Sequence, residues 1–143
     1  MAEKLFSQAD RSKIIEAIKE AEQKTSGEIQ VHIENHCKDV LDRAAEVFET
    51  LKMHQTEHRN AVLFYLAVAD HKFAILGDAG INSVVPDDFW ENIKENMTLH
   101  FKASRYTDGL CMGIEMAGKQ LQKHFPFEQK GDINELPDEI SFG

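Results

Sequence analysis

No apolar run in this sequence approaches the roughly 18 residues that a membrane-crossing helix needs. The N-terminal stretch MAEKLFSQADRSKIIEAIKE is charged throughout and lacks the apolar core of a secretory signal. The sequence as given is therefore expected to be cytoplasmic, with no direct membrane insertion. Cysteine is scarce. Cys37 and Cys111 stand alone, neither in a CxxC pair, which excludes a disulfide framework and a cysteine zinc site. Both are expected to be reduced and in or near the core, although the spacing leaves a single long-range disulfide open. There is no Gly-Lys-Ser/Thr run for a phosphate loop and no serine nucleophile elbow.

Basic residues are also in the minority, with 16 Lys and Arg against 25 Asp and Glu and a net charge of −9. This charge disfavours nonspecific binding to nucleic acid and permits binding of cations. No nucleic-acid partner is expected, and a monomer is. Of the seven histidines, His32 and His36 are four apart, but a strand ends between them. His54 and His58 straddle a helix end. Neither pair shares a helical face as a zinc pair requires, so the histidines are expected to be exposed.

What is present is ample apolar content, 42% of 143 residues, enough for one domain with its own core. Ser7, with Asp10 three residues on, caps a helix over 7–24 whose Ile14, Ile15, Ile18 and Ala21 recur at helical spacing. Residues 28–34 alternate, with Ile29, Val31 and Ile33 on one face and Glu28, Gln30, His32 and Glu34 on the other, which predicts a strand with one buried face. A second helix is predicted over 39–53. The run AVLFYLAVA at 61–69 reads as a central strand covered on both faces. Asp70, His71 and Lys72 turn the chain into a return strand at 73–76. Pro86, Asp87 and Asp88 read as a helix start, with Phe89, Trp90, Ile93, Met97 and Phe101 on its apolar face. A last helix is predicted over 108–125. The expected architecture is α/β: a mixed central sheet sandwiched between helices in three layers, α/β/α. It comprises a domain at 1–125 and an acidic tail at 126–143, poorly packed or docked through Leu136, Ile140 and Phe142.

The carboxylates carry the chemistry. In the tetrapeptide GDAG at 77–80, two glycines bracket Asp78. With the first strand parallel to the central one, Glu28 and Asn60 lie at one edge of the sheet. The hairpin returns Asp78 to that edge, and Asp87 and Asp88 follow shortly. Asp70 and His71 fall at the opposite edge, and sequence leaves the place of Asp108 open. Taken singly, Asp78 fixes a turn and Asp88 and Asp108 cap helices. Taken together, gathered carboxylates suit a hard divalent cation, Ca²⁺ or Mg²⁺.

Four segments, TSGEI at 25–29, RNAVL at 59–63, GDAGI at 77–81 and 101–109 with Tyr106, Asp108 and Gly109, occur in an order that resembles the TPM domain family. That family includes the thylakoid lumen protein of photosystem II repair and bacterial homologues. The resemblance spans about residues 5–125. It implies a mixed sheet between helices and an acidic crevice that binds divalent metal, with Glu28, Asp78 and Asp108 as site carboxylates. It also implies acid phosphatase activity in some members. The membrane segment and Gly-rich tail of many members have no counterpart here. The leading expectation is a divalent-cation-binding domain, with Asp87 or Asp88 assisting directly or through water. Metal-dependent phosphomonoester hydrolysis, with Arg59 or Arg105 reaching the phosphate, is the alternative. A third class, a protein-interaction module, would use Phe89 and Trp90 or the tail.

Overall fold

The computed structural model describes residues 2–127 and 138–143. Helix α1 spans Gln8–Glu22, and its capping box is complete: the Ser7 hydroxyl accepts from the Asp10 amide and the Asp10 carboxylate from the Ser7 amide, both at 3.1 Å. Strand β1 (Glu28–Glu34) and helix α2 (Val40–Thr50) follow, the helix capped by the Asp39 side chain on the Asp42 amide. Strands β2 (Ala61–Ala67) and β3 (Lys72–Gly77) form the hairpin. The short α3 (Ala79–Asn82), α4 (Glu91–Lys102), α5 (Tyr106–His124) and the two-residue β4 (Ser141–Phe142) complete the order.

The sheet order is β3-β2-β1-β4. β1 runs parallel to both β2 and β4, and β2 antiparallel to β3, so the sheet is mixed. Ile29, Val31 and Ile33 of β1 and Val62, Phe64 and Leu66 of β2 pack with Ile14, Ile18, Ile93, Met97 and Ile114 from α1, α4 and α5. On the other face, Leu63 and Tyr65 meet Ala44, Val47 and Phe48 of α2. The result is three layers, α/β/α, with most of the helix mass on one side. No helix among the described residues is long and apolar enough to cross a membrane.

The structure adds detail to the tail and changes two expectations, the start of the α4 helix and the exposure of β1 and His32. The Asp87–Asp88 segment forms a turn, and α4 starts only at Glu91. The tail contributes a strand at Ser141–Phe142, while residues 128–137, Leu136 among them, lie outside the described residues. β1 is buried on both faces rather than one, and His32 is buried rather than exposed. The reason is mutual satisfaction of the polar groups. Glu34 takes a two-pronged ion pair from Arg43 at 2.8 and 2.9 Å and a hydrogen bond from the Tyr65 hydroxyl. His32 Nε2 lies 3.0 Å from Glu34, its Nδ1 lies 2.8 Å from the Ser141 hydroxyl, and its ring stacks on Tyr65. Polar side chains this well partnered are buried at little cost. Cys37 and Cys111 are free thiols of intermediate exposure.

Candidate functional site

The GDAG tetrapeptide ends β3 and starts α3. Asp78 is extended, and its Oδ1 accepts from the Ala79 amide at 2.8 Å, so it caps the short helix. The same carboxylate receives both prongs of Arg59, Nε to Oδ2 at 2.7 Å and Nη2 to Oδ1 at 2.8 Å. The Asp78 side chain is 7% exposed and that of Arg59 50%. Arg59 holds a left-handed backbone, φ 51°, which is uncommon for a residue with a side chain. Gly80 keeps it there. Its amide donates to the Arg59 carbonyl at 2.8 Å, and a Cβ at this position would stand 2.1 Å from the His58 carbonyl.

The neighbouring strands supply the rest of the edge. The Asp78 amide donates to the Ala61 carbonyl, and Ala61 is the register partner of Glu28. The Glu28 amide donates to the Asn60 carbonyl at 3.3 Å, and the buried Asn60 amide group reaches the Ser26 hydroxyl at 3.5 Å. Glu28, Asn60 and Asp78 thus share one edge of the sheet, as strand direction predicts. Asp87 and Asp88 are exposed on a turn at the same end, where Trp90 packs on Gly77 and Phe89 on His124. Asp70, at the opposite edge, bonds His36 and the Cys37 amide.

Asp108 is not brought to this edge. It lies in the first turn of α5, which starts beside the start of α1 through Thr107 and Asp10. The other end of α5 is tied to the loop before β1, with Phe125 accepting from the Ser26 amide at 2.9 Å. A helix of 19 residues spans about 28 Å. Asp108 therefore faces a groove between α1 and α5 together with Lys13, Glu16 and Glu115, at the far end of the molecule. Its negative charge adds to burial in pushing the Cys111 thiol up to about 11.

Two residues join the edge without having been singled out in the sequence. A cavity of about 260 Å³ beside Glu28 is lined also by Glu22, Asp138, Thr25 and Gly27. Glu22 ends α1, and its Oε2 accepts from the Ile29 amide at 3.0 Å. Burial, with help from a hydrogen bond to Asp138 and the nearby Glu28 charge, pushes the Glu22 carboxyl up to about 10. A carboxylate in the last turn of a helix sits at the unfavourable end of the dipole, and that was the signal available for Glu22. Asp138 follows Pro137 in the tail and carried none.

The edge therefore combines buried carboxylates with the half-exposed Arg59 guanidinium, and Lys19 also lines the cavity beside Glu28. Its oxygen donors are the type that Ca²⁺ and Mg²⁺ select. Among the described residues, however, no three His, Cys, Asp or Glu side chains are grouped to hold a metal ion. The carboxylates are not preassembled as one ligand set, because Asp78 is engaged by Arg59 and Asp108 is remote.

Comparison with known proteins agrees with this architecture. The chain is similar to the BA42 protein of the psychrophilic bacterium Bizionia argentinensis, solved by NMR, at 48% identity and a TM-score of 0.91 over 96% of this chain and 95% of that one. The N-terminal domain of a protein from P. gingivalis matches at 16% identity, TM-score 0.68, over 87% of this chain and 83% of that one. The N-terminal domain of the cg2496 protein of Corynebacterium glutamicum matches at 14%, TM-score 0.64, over 80% and 72%. At those two identities the likeness is one of fold alone. No curated protein matches the chain. The model of the TPM domain matches residues 2–120, and the chain belongs to the TPM domain family.

Proposed function

We propose that this TPM domain binds a divalent cation, Ca²⁺ or Mg²⁺, at the sheet edge formed by Glu28 and Asp78, with Asp87 or Asp88 assisting from the adjoining turn. The observation that carries the reading is the excess of carboxylate there. Glu28 and Asp78 are buried at one edge beside the partly buried Glu22, and the guanidinium of Arg59, which pairs with Asp78, is half exposed. Arg59 then acts as a resident counter-cation that a metal ion has to displace. Asp108 has no part in it.

NMR titration of the full chain with CaCl₂ and with MgCl₂ tests this. Shifts are expected at the amides of Glu28 and Ala79 and at the Arg59 guanidinium. Arg59→Gln is expected to tighten binding about 3- to 10-fold, or ~1 kcal/mol. No perturbation at these positions up to about 10 mM, a range that includes weak calcium modules, rejects the proposal.

A second reading, phosphomonoester hydrolysis, draws on the same guanidinium, since an exposed arginine fork suits a phosphate. Full activity of Asp78→Asn on a model phosphate ester would remove it.

A further inference from the structure

Phe101 and Tyr106 belong to a segment that the acidic edge leaves unused. They line a cavity of about 350 Å³ at the opposite end of the sheet, between the β2–β3 turn and the α4–α5 connection. Its volume is within the range of small-molecule sites. Its floor is aromatic. Phe73 meets Phe101 edge to face at 4.9 Å, and Phe101 meets Tyr106 at 5.7 Å, with Leu66 buried beneath. All three rings are only partly buried, so their outer faces form an open apolar surface.

The rim has the opposite character to the rest of the chain. The protein carries a net charge of −9, yet the residues lining this cavity include Lys72, Lys102 and His71 and no Asp or Glu among the described residues. Both lysines are exposed, and Lys72 Nζ is 3.4 Å from the Lys38 carbonyl. Two of the four non-glycine residues with left-handed backbones among the described residues, His71 at φ 54° and Ser104 at φ 59°, flank the opening from its two loops. Backbone of this kind is found more often at functional sites than elsewhere.

We propose that this cavity binds a small aromatic molecule bearing an anionic head group, a carboxylate or a phosphate. The ring of the ligand packs on Phe73, Phe101 and Tyr106, and its head group is held at the rim by Lys72 and Lys102. An apolar floor with a few convergent polar groups is the usual composition of such a site. A flexible ammonium suits either head group as a point charge. The site is independent of the acidic edge and of any cation there.

The test uses three probes with one ring system: 1-naphthoate, 1-naphthyl phosphate and the neutral 1-naphthalenemethanol. Each is titrated into the full chain by NMR, and the shifts of Phe73, Phe101, Tyr106 and Lys102 are followed. At least one anion is expected to bind at least about tenfold more tightly than the alcohol, and the stronger of the two identifies the head group. The double variant Lys72→Gln, Lys102→Gln should weaken the anions about tenfold and leave the alcohol unchanged. Asp78→Asn should leave all three probes unaffected. Equal binding of alcohol and anions overturns the proposal. So do shifts centred away from these rings, or no binding of any probe up to about 10 mM.

Discussion

Glu22 is a residue whose surroundings oppose its charge strongly. Its carboxyl is raised from 4.5 to about 10 in the folded chain, chiefly by burial. The unfolded chain releases this proton first, so the stabilising contribution is complete below pH 4.5 and is lost as pH rises toward 10. Glu22→Gln keeps an acceptor for the Ile29 amide and cannot ionise. It is expected to raise the melting temperature at pH 8 by about 3 °C or more and to bring little gain at pH 4, as thermal melts across pH will show. Gly80 is constrained by space instead. The atoms that a Cβ would meet are the backbone carbonyls of His58 and Arg59, which have no side-chain freedom to yield. Gly80→Ala should cost about 3 kcal/mol by urea unfolding and loosen the Arg59–Asp78 pair.

Among the elements, β1 shows most clearly what was legible. Its Ile29, Val31 and Ile33 repeat identifies a strand, and its parallel run beside β2 places Glu28 and Asn60 at one edge with Asp78. Burial of its second face was hidden, because alternation of polar residues reads as solvent exposure whether or not partners wait across the layer. Those partners, Arg43 on α2, Tyr65 on β2 and Ser141 on β4, are set by tertiary packing and have no local signature. Asp108 failed to join the edge for a related reason: α5 runs parallel to α1, and no spacing within either helix reveals that. The β1 network also carries a prediction. Burial opposes the Glu34 charge, but hydrogen bonds from Arg43, Tyr65 and His32 outweigh it and hold the carboxyl at about 2. Glu34→Gln should cost about 2 kcal/mol in urea melts at pH 7. Solvent screens part of the pair, because Arg43 is 36% exposed.

For the whole molecule, the Glu22 and Glu34 carboxyls act in adjoining pH windows. Glu34, depressed in the folded state, contributes stability above pH 4.5 that is lost as pH falls from 4.5 to about 2. Glu22 withdraws its contribution as pH rises from 4.5 toward 10. Stability measured by thermal melting should therefore peak on the acid side, near pH 5, rather than at neutrality. The Glu22→Gln variant should flatten the alkaline limb and Glu34→Gln the acid one. The placement of β4 bears on how the chain is assembled. β1, α2, β2 and β3 find one another across short stretches of sequence, whereas His32 and Ser141 are 109 residues apart. Closing so long a loop carries an entropic cost that only the finished sheet repays. During synthesis from the N-terminus, β1 therefore emerges long before the strand that covers its outer edge, and a fragment ending before Ser141 leaves that edge and the Nδ1 of His32 without their β4 partners.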